Sequence, residues 1–202
     1  MSGVNETIVR EYFESLGFVV AQPCKYDIPG RRKRAEEELD LLILNPLVIE
    51  QKIPGSLEWT TSDLSGISRA IVAVRGWHTE RFSAALFEQT PEILRFAEDA
   101  PLRAGMKRLG DGPAAKILCV SELPASRELK KRVLSLLKEK GVDGVLVFRT
   151  ILEQLIASVD KKKNYEKSDL LQVIRIFKSY NLLKGKQMEL FEKKGRKRPT
   201  TK

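Results

Sequence analysis

The sequence predicts an α/β domain: a mixed central sheet flanked by helices, with an αβββαβ core and further helices at the C-terminal end. Apolar runs of strand length, several rich in Val and Ile, are interspersed with stretches of helical periodicity. The early strands follow one another with no helix between them, whereas helices separate the later ones. That order is neither pure alternation nor segregation, and it implies antiparallel pairing continued by right-handed parallel crossovers. The chain has 202 residues, of which 42% are hydrophobic and 31% charged. It is long enough for one domain, residues 1–183, with a basic tail over 184–202.

Residues 4–16 read as a helix, because Ile8, Val9, Tyr12, Phe13 and Leu16 recur at helical spacing and Asn5 can cap it. Gly17 stops it, and Phe18-Val19-Val20-Ala21 follows as a strand. A polar loop over 22–38 holds Pro29-Gly30 and the basic run Arg31-Arg32-Lys33-Arg34. Leu39-Asp40-Leu41-Leu42-Ile43-Leu44 is apolar except for one acid, the pattern of a buried strand. Asn45-Pro46 turns the chain, and Leu47-Val48-Ile49-Glu50-Gln51-Lys52 reads as a short return strand. After a Gly-, Ser- and Thr-rich excursion over 54–68, Ala70-Ile71-Val72-Ala73-Val74-Arg75 is the clearest strand, ending at Gly76-Trp77-His78. Residues 83–97 are helical with a break near Pro91, and 105–113 are loop. A strand over 116–120, an amphipathic helix over 126–140 and a strand over 144–148 follow, then helices over 150–159 and 168–183.

No apolar run reaches the ~20 residues needed to cross a bilayer. The first residues enter a helix without a basic segment or an apolar signal core. Cys24 and Cys119 are the only cysteines and His78 the only histidine, so neither a disulfide framework nor a structural zinc site is expected. The expected compartment is the cytoplasm. The net charge is +9, and Lys193, Lys194, Arg196, Lys197, Arg198 and Lys202 fall in the last ten residues with no acid among them. Such a tail can condense on phosphates by counterion release. The plainer reading is a solvated terminus that keeps the chain soluble.

Asp40 stands out, because a carboxylate in an apolar strand is expensive to bury unless it is paired or metal-bound. The element order, with that acid on the second core strand, resembles the PD-(D/E)XK nucleases, which include restriction endonucleases and Holliday-junction resolvases. The resemblance spans roughly residues 6–148 and rests on element order and a short motif. It implies an endonuclease or exonuclease that hydrolyses phosphodiesters with Mg²⁺, in DNA repair or maintenance. The family places an Asp at the opening of the second strand and Glu-x-Lys on the third. The carboxylates hold the cation and the lysine orients the attacking water. Hard cations need oxygen ligands, a bound cation lowers the pKa of its water, and strand residues two apart share a face.

By that resemblance Asp40 matches the first acid, and two alignments of the third strand remain open. Glu50-Gln51-Lys52 matches the motif literally; a tight hairpin at Asn45-Pro46 would then make Asp40 and Glu50 the metal ligands and Lys52 the catalytic partner. Alternatively the third strand is 70–75 and the motif reads Ala73-Val74-Arg75. That describes a nuclease fold without its metal, in which Arg75, protonated at any relevant pH, takes no base role but grips phosphate. Some resolvase-like members resemble this chain in carrying an acid on the first helix, which here would be Glu6; the plainer reading is a first-turn acid favoured by the helix dipole. Trp77 could stack on a base and His78 contact phosphate, or Trp77 packs and His78 lies at the surface.

Gln187-Met188-Glu189-Leu190-Phe191 resembles the bacterial sliding-clamp-binding pentapeptide Gln-x-x-Leu-Phe. It implies insertion of Leu190 and Phe191 into an apolar pocket while Gln187 bonds at the rim. The alternative is that the last helix continues and these residues pack on the body. Three functions are therefore in contention: a nuclease; a non-catalytic module that binds nucleic acid, DNA foremost, through Arg31 to Arg34, Arg75 and the tail; and an adaptor docked through Gln187, Leu190 and Phe191. No membrane partner is expected. Related folds often dimerise, but one sequence shows no isologous patch.

Overall fold

A computed structural model describes residues 3–23, 38–78, 81–110 and 112–183. The chain divides into two compact units, Met1–Leu155 and Ile156–Lys202.

The first unit is built on one five-stranded mixed sheet whose spatial order equals its order in the chain. Strand β1 (Val19–Ala21) pairs antiparallel with β2 (Leu41–Leu44), and β2 pairs antiparallel with β3 (Arg69–Arg75). Parallel pairing takes over from β3 to β4 (Ala115–Val120) and from β4 to β5 (Gly144–Val147). The change of sense follows the connections. Short links join the first three strands, whereas α2 (Ala84–Gln89), a 3₁₀ segment Pro91–Ala97 and α3 (Asp99–Leu109) carry the chain to β4. Helix α4 (Arg127–Glu139) then leads to β5. The αβββαβ order and the helix-flanked mixed sheet are both present.

Helix α1 (Gly3–Ser15) ends as its sequence requires. Gly17 takes φ 88° and donates to the Glu14 carbonyl, while Phe18 N–H reaches back to Phe13 O at 3.1 Å. This is a Schellman stop with a glycine in the left-handed position. The Phe13 and Phe18 rings meet edge to face at 5.5 Å and seal it. The start differs from expectation. Asn5 lies inside the helix and spends its amide elsewhere, so it is not the cap.

Strand β3 is the centre of the core, buried from Ala70 to Arg75. Ile71 and Ala73 join Leu39, Leu42, Phe82, Phe96 and Leu118 in one apolar cluster. Strand alternation puts Ala70, Val72 and Val74 on the opposite face, where α1 packs through Val9, Tyr12 and Phe13.

Two expectations are corrected. Residues 105–113 are not all loop, because α3 runs to Leu109. Gly105 is a helix residue pressed on the sheet, and a Cβ there would lie 2.5 Å from Ile71 Cγ2. Its absent side chain permits close packing rather than a turn. Nor are residues 47–52 a strand: they form a loop beyond β2. Gln51 pins that loop, its Oε1 accepting from Ser68 N–H at 3.1 Å, Ser68 Oγ at 2.7 Å and Arg69 N–H at 2.9 Å. Leu47 and Ile49 are left 86% and 98% exposed. Both edges of β2 are taken, by β1 and β3, so no slot remains for a return strand.

Helix α5 (Phe148–Ser158) carries the chain across the unit boundary, and α6 (Asp169–Ser179) lies in the second unit. Ser168 caps α6, its Oγ accepting from Leu171 N–H. Among the described residues no helix is long and apolar enough to cross a membrane.

Candidate functional site

Asp40 sits one residue ahead of β2, where continuation of the register sets it opposite Ala73. Its Oδ2 accepts from Val74 N–H at 2.7 Å and from Arg75 Nη1 at 2.6 Å. The carboxylate thus takes a ladder position and pairs with the guanidinium at the end of β3. The side chains are 12% and 6% exposed, so the ion pair is withdrawn from water and its charges offset each other locally. The guanidinium also donates to Val74 O at 3.2 Å, which fixes its direction.

Other groups gather around this pair. Glu6, on the first turns of α1, has its pKa raised, foremost by burial and then by the negative charge of Asp40; Arg75 and the Gln22 amide oppose the shift. Gln22 Nε2 lies 3.5 Å from Glu6 Oε2. Asn5 Nδ2 donates to Gly76 O at 2.9 Å, and its Oδ1 meets His78 Nε2 at 3.0 Å, an arrangement that puts the imidazole proton on Nε2. Cys119 faces Val74 across β3 and β4. Burial, reinforced by the Asp40 charge, pushes its thiol far above the usual range, so it stays protonated and unreactive.

The site expected from sequence is only partly assembled. Asp40, Arg75 and Glu6 come together. Glu50 and Lys52 do not join them, being exposed on the loop pinned by Gln51. That loop is fastened to Ser68 and Arg69 at one end of β3, whereas Asp40 is bonded to Val74 and Arg75 at the other. From Arg69 to Val74 is a span of five residue steps, about 17 Å at the usual rise.

A Mg²⁺ site made from Asp40 and Glu50 therefore does not fit the residues present. One carboxylate already faces a cation and an N–H donor, and the other is a strand length away. Among the described residues no three His, Cys, Asp or Glu side chains converge as a metal site. Arg75 is buried against Asp40 rather than presented to solvent as a phosphate grip.

Trp77 is half-buried and stacks on Phe82 with ring centres 5.7 Å apart, while its carbonyl accepts from Ser121 Oγ. It is a packing residue. His78 is exposed and meets the Phe148 ring edge-on at 4.9 Å. Arg31, Arg32, Lys33, Arg34, Gln187, Leu190, Phe191, Lys193, Lys194, Arg196, Lys197 and Arg198 lie outside the described residues. Sequence reasoning missed Gln22 and Asn5 as neighbours of the site. Their partners are 16 and 71 residues away, and nothing local marks either. No protein-family model, no curated protein and no solved structure matches the chain.

Proposed function

We propose that this protein is a nucleic-acid-binding module on a nuclease-like α/β fold, in which an arginine has taken the place of the catalytic cation and hydrolysis has been lost. The observation that carries the reading is the Asp40–Arg75 pair at 2.6 Å. The acid immediately ahead of the second core strand is neutralised from within the chain by the residue that stands where the family resemblance puts the motif lysine. Arginine keeps its proton at any relevant pH and cannot serve as a base.

The element order supports the fold assignment, and the charge supports the ligand. A net charge of +9, with a basic run at Arg31 to Arg34 and a basic C-terminal tail, suits a phosphodiester backbone. Binding of this kind reads charge and shape more than base sequence.

Fluorescence anisotropy with labelled single-stranded, duplex and branched DNA tests the reading. Contact with about five phosphates makes affinity fall roughly a hundredfold on a single strand and roughly 500-fold on a duplex between about 50 and about 200 mM salt. EDTA should leave that affinity unchanged, and Mg²⁺ should produce no cleavage. Cleavage that disappears in Asp40→Ala would overturn the loss of catalysis. A salt-independent affinity would overturn phosphate binding itself.

A further inference from the structure

Charge is divided unequally between the two units. Residues 1–155 hold 22 Lys and Arg against 22 Asp and Glu, whereas residues 156–202 hold 14 against 5, so the whole +9 lies beyond Leu155. In the described part of the second unit, a run of three lysines is tied to the end of α6, where an aromatic is exposed.

The loop after α5 is a built turn. Asp160 Oδ1 accepts from Lys162 N–H at 2.9 Å and its carbonyl from Lys163 N–H at 3.2 Å. Asp160 N–H in turn donates to the Tyr165 hydroxyl at 2.9 Å. An aspartate closing a turn in this way holds Lys161, Lys162 and Lys163 on a short, constrained arc with all three side chains exposed. Helix α6 ends in a Schellman motif: Leu182 N–H reaches Phe177 O at 2.9 Å, Asn181 N–H reaches Lys178 O at 3.2 Å, and Asn181 takes φ 55°. Lys161 Nζ donates to Asn181 Oδ1 at 3.0 Å and fastens the lysine turn to the helix end. Tyr180, the residue before Asn181, is 76% exposed, and Phe177 one turn earlier is 42% exposed.

We infer that this corner is a single-strand contact, with a base stacked on Tyr180 and the flanking phosphates on Lys161 to Lys163. The inference rests on the nucleic-acid reading above and locates a contact for it. Three exposed lysines on one turn attract anionic charge, and the exposed Tyr180 ring, next in the chain to the Asn181 that Lys161 bonds, offers the stacking surface that any base accepts. A membrane is the poorer match. A helix lying on a bilayer carries its cations along the flanks of its apolar face. Here Val173, Ile176, Phe177 and Tyr180 form the exposed line, and the acid Asp169 opens it. The cations of α6 are engaged elsewhere: Lys178 Nζ bonds the carbonyls of Ile156 and Val159, and Arg175 Nε bonds Gln172 Oε1.

Full-length protein is titrated by anisotropy against labelled oligothymidylate and, separately, by sedimentation against vesicles containing phosphatidylserine. Tyr180→Ala should weaken oligonucleotide binding roughly 5- to 150-fold, the range for loss of one aromatic–base stack, and Tyr180→Phe should restore it. Replacing Lys161, Lys162 and Lys163 by Ala should lower the salt slope by about 2, at about 0.7 per phosphate on a single strand. Lys138→Ala with Lys140→Ala, two exposed lysines of the neutral unit, should change neither. Normal binding by the Tyr180 and triple-lysine variants overturns this corner and leaves the nucleic-acid reading standing. No oligonucleotide binding by the unaltered protein overturns both, and binding to vesicles alone assigns the corner to a membrane.

Discussion

Replacing Arg75 with Met tests the ion pair that the functional reading rests on. The substitution keeps a long apolar side chain at the end of β3 but removes the guanidinium from Asp40. The carboxylate is only 12% exposed and keeps Val74 N–H as its donor. Stripping one partner from a buried pair costs about 3 to 5 kcal/mol. The surviving N–H bond and the partial exposure put Arg75→Met at the lower end, about 3 kcal/mol. In a unit of this size that lowers the melting temperature by roughly 6 to 12 °C. Asp40→Asn strands the guanidinium and should cost a similar amount. The double variant should cost less than the two single losses together, by about 2 kcal/mol, because the uncompensated charge has gone. Urea unfolding followed by the emission of Trp59 and Trp77, both inside the first unit, reads all three. Additive losses, or single losses under about 0.5 kcal/mol as for exposed pairs, would refute the claim that Arg75 neutralises a withdrawn carboxylate.

Glu6 carries a pH signature. Its folded pKa is raised above 4.5, so the native state holds a proton that the unfolded chain releases, and stability falls as pH rises through that window. Glu6→Gln removes the effect; its stabilisation by urea midpoint should be larger at pH 7 than at pH 4, and equal gains would show that burial and Asp40 do not load the carboxylate. Gly144→Ala places a Cβ 2.3 Å from Cδ2 of Trp59, a residue held by its ring Nε1–H bond to Ser56 O and its backbone N–H bond to Val145 O. Overpacking of that kind costs about 1 to 3 kcal/mol and should shift tryptophan emission to the red; unchanged emission and stability would mean that the 57–59 segment gives way. Glu50→Gln with Lys52→Ala should leave stability within about 0.5 kcal/mol of the parent and nucleic-acid affinity unaltered, which a parallel titration checks. A large loss of either would return the loop to the site.

Much of the architecture was legible because its signals are local. Gly17 after an amphipathic run, the apolar strands at 41–44, 70–75 and 116–120, and Ser168 ahead of α6 each specify their own element. The partner of Asp40 was not legible in the same way. Arg75 lies 35 residues on, and it meets the carboxylate only because β2 and β3 are antiparallel in one register. Shifting that register by one residue would turn the apolar side chains of β2 to the other face. Gly105 shows a different limit: a glycine at the head of an expected loop is an ordinary signal for a turn, yet it is spent on packing, whereas the packing of Trp77 against Phe82 is one of the two readings the sequence offered. The 3₁₀ break at Pro91 was readable from the proline, whereas α3 was hidden by Pro101 and Gly105 within its own span.

The rivalry between Glu50-Gln51-Lys52 and Ala73-Val74-Arg75 was decidable from burial alone. A strand beside β2 in a sheet with helices on both faces must be apolar at odd and even positions alike. Residues 70–74 meet that condition with five consecutive apolar side chains, all of them buried. Residues 47–52 meet it for three positions and then require Glu50, Gln51 and Lys52 to be buried one after another. A charged group taken from water without a partner costs several kcal/mol, far beyond what Leu47 and Ile49 would recover at about 2 kcal/mol each. The chain instead leaves both aliphatic residues in water and uses Gln51 as a three-point anchor. A literal motif match of three residues carries less weight than this energetic difference. Under the nuclease-like reading proposed above, Arg75 stands at the position of the motif lysine, and what the structure shows there is a cation fixed to the chain facing Asp40.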